Sequence, residues 1–275
     1  MQKYLTTAII CLIIFFSNVD GAAQPLKRSC ADFSAKGTPV VRRVIYDGND
    51  QPYNVLCVYQ GVDVYTMIES FNKTNSLDAN IAASFSVDNP VNQDVADNKA
   101  FPIDLYRLSK DRMKYLADRS TFIWSSCDVI TNPNNTFNPL SVGTDYIISS
   151  LNADSRKLLF DTAFVHNGIN NCMTVRGMLF GEYFDDKSIP FYSKSNVHFH
   201  SSIDESTDLC GKHNFNFITN PVDSAQCGVR DYPPNAPASV NVFGSYNKCT
   251  SQFACAKNDN SITTWWLGAP MPGTS

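Results

Sequence analysis

His198 and His200, in Val197-His198-Phe199-His200, are residues whose types and spacing could do chemistry. Two apart on a strand, they would project to one face, as a metal-binding pair does. A zinc site needs a third ligand, which His213 or an acidic residue could supply. That set would suit a metal-dependent hydrolase; the alternative is simply a polar sheet face. No HExxH helix accompanies the pair and no GxSxG elbow is present. Asp185 and Asp186 could serve as acid and base, although adjacent acidic residues more commonly mark a solvated turn. Asn258, Asp259 and Asn260 offer the hard oxygens that calcium takes, or else a turn before the last strand. Trp265 and Trp266 would face opposite ways on a strand. Both can pack in the core, or one enters the core and the other offers its flat apolar face to a sugar ring or a protein partner.

The compartment follows from the start of the chain and from its cysteines. Lys3, an apolar run from Leu5 to Phe16 and small residues up to Ala23 have the order of a secretory signal peptide. The run is too short to span a bilayer, which takes roughly 20 apolar residues. No later stretch is long enough either. Cleavage after Ala23 removes Cys11 and leaves Cys30, Cys57, Cys127, Cys172, Cys210, Cys227, Cys249 and Cys255. An even set in an exported chain argues for disulfides and against a free nucleophilic thiol. No CxxC spacing suggests a zinc ribbon. Asn72-Lys73-Thr74 and Asn134-Asn135-Thr136 are glycosylation acceptors, at Asn72 and Asn134. With a net charge of -4 and no basic stripe, nucleic acid is a poor partner.

The elements that would position these residues can be read in order. Val40 to Tyr46 and Tyr53 to Tyr59 are β runs, and Asp47 to Pro52 between them supplies the residues of a hairpin reversal. Tyr53, Val55, Cys57 and Tyr59 share one face, and Cys30 is well placed to bridge to Cys57. Ser70 to Ala100 is polar and aperiodic, as in a long surface excursion. Ser109 can cap a helix whose apolar face is Met113, Leu116 and Ala117, leaving Lys110, Asp111, Arg112 and Lys114 to solvent. Thr121 to Trp124 reads as a strand packed under that helix and running into Cys127. Tyr146 to Ile148 is strand-like. Thr174 to Phe180 is expected beside the strand ending at Cys127, with a Cys127–Cys172 bridge tying the two. Beyond Ser193 the chain is expected to be rich in loops held by disulfides.

Three segments resemble the divergent fibrinogen C-terminal-like domains of secreted invertebrate proteins. They are the Ser29-Cys30 opening with its Cys57 hairpin, the Phe101 to Asp128 middle, and the Phe253 to Gly268 close. Gln60 to Thr66 departs from the pattern, standing where Gly-Gly-Trp-Thr is usual, and the alternating Asp-x-Asp of the calcium loop is missing. The resemblance implies an α+β fold: an antiparallel sheet, a few short helices and a loop-rich, disulfide-braced C-terminal third. It divides the chain into a signal peptide (1–23), a short tail (24–28), one fibrinogen-like domain (29–270) and a tail (271–275). It also implies a non-catalytic extracellular lectin for glycans or glycoproteins. Its pocket would lie in the loops from Cys249 to Trp266, with His213 and calcium contributing. An assembling matrix protein, and a homo-oligomer, stay open.

Overall fold

The structure, a computed structural model, describes residues 24–34, 39–81, 83, 85–128, 145–161, 172–179, 182–194, 198–204, 239–243 and 253–271. Residues 77, 172, 182, 187–194, 198–204 and 239–242 are described by backbone alone. The chain folds as α+β, with an eleven-stranded antiparallel sheet and, among the described residues, two short helices.

Two hairpins begin the sheet. β1 (Val40–Tyr46) pairs with β2 (Pro52–Gln60), and β2 with β3 (Asp63–Asn72). Asp47 closes the first reversal by accepting from the Asn49 and Gln51 N–H groups at 2.9 and 3.0 Å. The second turns on Gly61, whose φ of +58° is open to glycine without steric cost. Tyr53, Val55, Cys57 and Tyr59 are all buried on one face of β2, as their alternation predicts, and Cys30 bridges to Cys57. After β4 (Leu105–Arg107), α1 (Lys110–Ala117) starts at Ser109, whose hydroxyl accepts from the Arg112 N–H. Met113, Leu116 and Ala117 are fully buried. Arg112 is not on the solvent side. It lies over the Tyr53 ring and pairs with Asp47 and Asp94 at 3.4 and 2.7 Å, pinning helix to hairpin.

β5 (Phe122–Cys127), β6 (Tyr146–Ser150), α2 (Ala153–Phe160), β7 (Cys172–Leu179), β8 (Glu182–Lys194), β9 (His198–Asp204) and β10 (Ser239–Val242) follow. β11 (Ile262–Pro270) then inserts between β3 and β5, and so joins the N-terminal hairpins to the rest of the sheet. Seven consecutive residues of β11, Ile262 to Gly268, are buried, and only its final two residues are more open. Two carboxylates fasten this last segment. Asp145 accepts from the Ala254 N–H at 2.6 Å, and Asp128 accepts from the Ile262 N–H at 2.7 Å.

Two further expectations need correction. Cys127 bonds to Cys255, not Cys172, and β7 does not neighbour β5, because β6 lies between them. The polar stretch before Ala100 is more than a surface excursion: Ile81, Ala83, Phe85 and Ser86 are buried. The anchor is Arg107, itself fully buried. It pairs with Glu69 at 2.7 Å, donates to the Ala83 and Val87 carbonyls at 2.7 and 3.2 Å, and sits over the Phe85 ring. Burial outweighs the attraction of Arg107 and pushes the Glu69 carboxyl up to about 7.

Candidate ligand-binding cleft

Cross-strand partners share a face of a sheet, so the register assigns each side chain to one side. Trp265, opposite Glu69 and Ser125, belongs to the face covered by the helices and by the 81–91 segment, where Phe85 meets its ring edge-on at 5.5 Å. On the other face, Gly268 lies opposite Tyr65, Trp266 opposite Trp124, Ser126 opposite Tyr146, Ile148 opposite Arg176, and Met178 opposite Tyr183. Toward β1 and β2 this second face is covered by the 95–99 segment, whose backbone carbonyls accept from the Arg42 guanidinium. Toward β6 to β8 no described segment covers it.

A cleft of about 400 Å³ lies there, between the Gln60–Asp63 turn and the rings of Tyr65, Tyr146 and Tyr183. Its floor is built from aromatic stacking. Trp124 stacks on Trp266 with ring centroids 5.5 Å apart and takes the Tyr65 ring edge-on at 4.9 Å. Gly268 makes room for Tyr65: a Cβ there would come within 2.5 Å of that ring. At the rim stand Val62 and Tyr183, 54% and 65% exposed, two of the few large apolar side chains open to solvent among the described residues. Polar groups sit among the rings. Arg176 is exposed and, among the described residues, has no hydrogen-bond or ion-pair partner; Asp63 likewise has no ion-pair partner.

Tyr65 and Tyr146 are neutral donors near physiological pH. Burial pushes the Tyr65 phenol up to about 12, with Asp63 adding to the rise and Arg176 opposing it. Burial likewise raises Tyr146, with Tyr183 adding and Arg176 opposing. The arrangement therefore offers the exposed Tyr183 ring, phenolic groups, one cation and one carboxylate around one volume. It can hold a polyhydroxylated ring by stacking and hydrogen bonding. A second hollow of about 550 Å³ lies between α1 and α2, bordered by Lys110, Lys114 and Lys157. It is the larger, but its Arg156 is already engaged with the Ala117 and Ser120 carbonyls, each at 2.9 Å, and it has a single aromatic wall at Phe160.

The residues singled out from the sequence fall elsewhere. Trp265 and Trp266 are both in the core, 1% and 0% exposed, because their strand is central and covered on both faces. Their indoles donate internally, Trp265 to the Phe243 carbonyl at 3.1 Å and Trp266 to the Thr264 hydroxyl at 2.7 Å. Neither is placed to touch a ligand from solvent. Asn258, Asp259 and Asn260 form an exposed turn closed by its own groups. The Asn258 side chain accepts from the Asn260 N–H at 3.1 Å, and Asp259 lies 4.0 Å from Lys73. Among the described residues, no three His, Cys, Asp or Glu side chains converge as a metal site. His198 and His200 occupy alternate positions of β9, opposite Lys194 and Tyr192. Asp185 and Asp186 are exposed on β8. Asn72 ends β3, where its side chain caps a 3-10 turn by accepting from the Asn75 N–H at 2.9 Å. His213, Asn134, Cys210, Cys227, Cys249 and the signal segment 1–23 lie outside the described residues. Sequence reasoning missed the cleft because its members come from six strands. The one local signal was alternation, with Tyr146 and Ile148, and Thr174 and Arg176, two apart.

A scan of protein-family models finds no match to this chain, and a search of curated proteins likewise finds none. The described residues contain no helix long and apolar enough to cross a membrane.

Proposed function

We propose that this is a secreted, disulfide-braced recognition protein that binds glycans or glycoproteins without transforming them, akin to the fibrinogen C-terminal-like group. The cleft carries the reading: Tyr65, Tyr146 and Tyr183 line a volume of about 400 Å³, room enough for a sugar ring, with Arg176 and Asp63 to orient it. Aromatic faces meet the C–H side of a saccharide, while phenols and ionised groups bond its hydroxyls. Export fits the two disulfides and the leader-like start of the chain. The site so proposed lies on the second face of the sheet and not in the C-terminal loops.

A glycan array probed with the purified protein tests this, with Tyr183→Ala as the control variant. Binding that falls at least about tenfold in the variant supports the reading. An array without specific binding overturns it, and so does release of hydrolysed sugar from a bound glycan.

A further inference from the structure

Within the glycan reading, on which this rests, the geometry points to an acidic saccharide: a sugar bearing a carboxylate or sulfate, held by Arg176, with its ring against the cleft tyrosines. Arg176 is the cation lining this cleft, and among the described residues no protein acceptor satisfies it. Its strand position is opposite Ile148, which directs it to the face on which Tyr146 and Tyr65 stand. A guanidinium presents a planar fork of donors that matches a carboxylate or sulfate in a bidentate pair.

The other polar groups then have consistent parts. Asp63, at the end of the Gln60–Asp63 turn, cannot sit beside the acid group, but it can accept from a hydroxyl on the far side of the ring. The two buried phenols remain protonated and donate to ring or hydroxyl oxygens. Val62 and Tyr183 at the rim cover apolar patches of the ligand and raise the strength of the Arg176 contact by excluding water. A neutral sugar offers the guanidinium hydroxyl oxygens in place of an anion, so the cleft favours the acidic one.

The test uses matched glycan pairs and the full-length secreted protein. One pair is a glycan ending in a carboxylated sugar and the same glycan after that sugar is removed; the other is a sulfated oligosaccharide and its desulfated counterpart. Wild type should bind the acidic member at least about tenfold more tightly. Arg176→Gln should abolish that preference while leaving Tm unchanged, because Arg176 is exposed and, among the described residues, makes no internal bond. Arg176→Lys should keep part of it, since a point charge replaces the fork. Equal binding of both members, or an acid preference that survives Arg176→Gln, overturns the inference while leaving glycan recognition standing. Absence of binding to all four probes overturns the glycan reading itself.

Discussion

Stability should fall as pH rises from about 5 to about 8, and Glu69→Gln should remove that fall. Glu69 is buried beside Arg107 at 2.7 Å, and its carboxyl is pushed from an ordinary value of 4.5 up to about 7. A raised carboxyl pKa means that the folded state keeps a proton which the unfolded chain has released. The contribution is therefore fully present below the unfolded value and lost as pH climbs through about 7. At 1.36 kcal/mol per unit, the displacement amounts to about 3 kcal/mol across the window. Gln keeps the shape and an acceptor for the guanidinium but does not titrate, so subtracting the two profiles isolates Glu69 from every other group. Denaturant unfolding at pH 5, 6, 7 and 8 can be followed by the fluorescence of the buried Trp124, Trp265 and Trp266. Parallel profiles for wild type and variant would refute the reasoning. Arg107→Met supplies the complementary test. It strands Glu69 and takes donors from the Ala83 and Val87 carbonyls, and should cost about 3–5 kcal/mol. Limited proteolysis should then cut between residues 78 and 100 far faster than in wild type.

Removing Cys127–Cys255 should destabilise more than removing Cys30–Cys57, because the sequence separations are 128 and 27. Loop-closure entropy gives about 5 against about 4 kcal/mol, and paired Cys-to-Ser variants compared by thermal melting check the order. Gly268→Ala should cost about 1–3 kcal/mol, since the added methyl meets the Tyr65 ring, and it should weaken binding in the cleft; an unchanged Tm and affinity would argue against that packing. Ser109→Ala should lose about 1 kcal/mol in denaturant unfolding through the missing cap on α1.

The local elements were legible because their causes are local. Ser109 with Met113, Leu116 and Ala117 specifies α1, Asp47 to Pro52 specifies a reversal, and the alternation in β2 marks its buried face. The α2 helix was less visible: its apolar residues Leu158, Leu159 and Phe160 cluster at one end, while its start depends on the Asn152 and Ser155 capping box. Arg112 was misread for a related reason, since helical spacing says which face a residue occupies but not what lies against that face.

From the sequence alone come the sheet-rich α+β class, the hairpin with its Cys30–Cys57 bridge, the capped helix and the terminal strand. Where the terminal strand goes was decided only by the tertiary structure. Inserting β11 between β3 and β5 pairs Cys255 with Cys127, buries both tryptophans, and stacks Trp266 beneath Trp124 as the floor of the cleft. Strand order depends on free energy shared among segments far apart in the chain. Alternation tells which residues share a face and leaves open which neighbours that face will have.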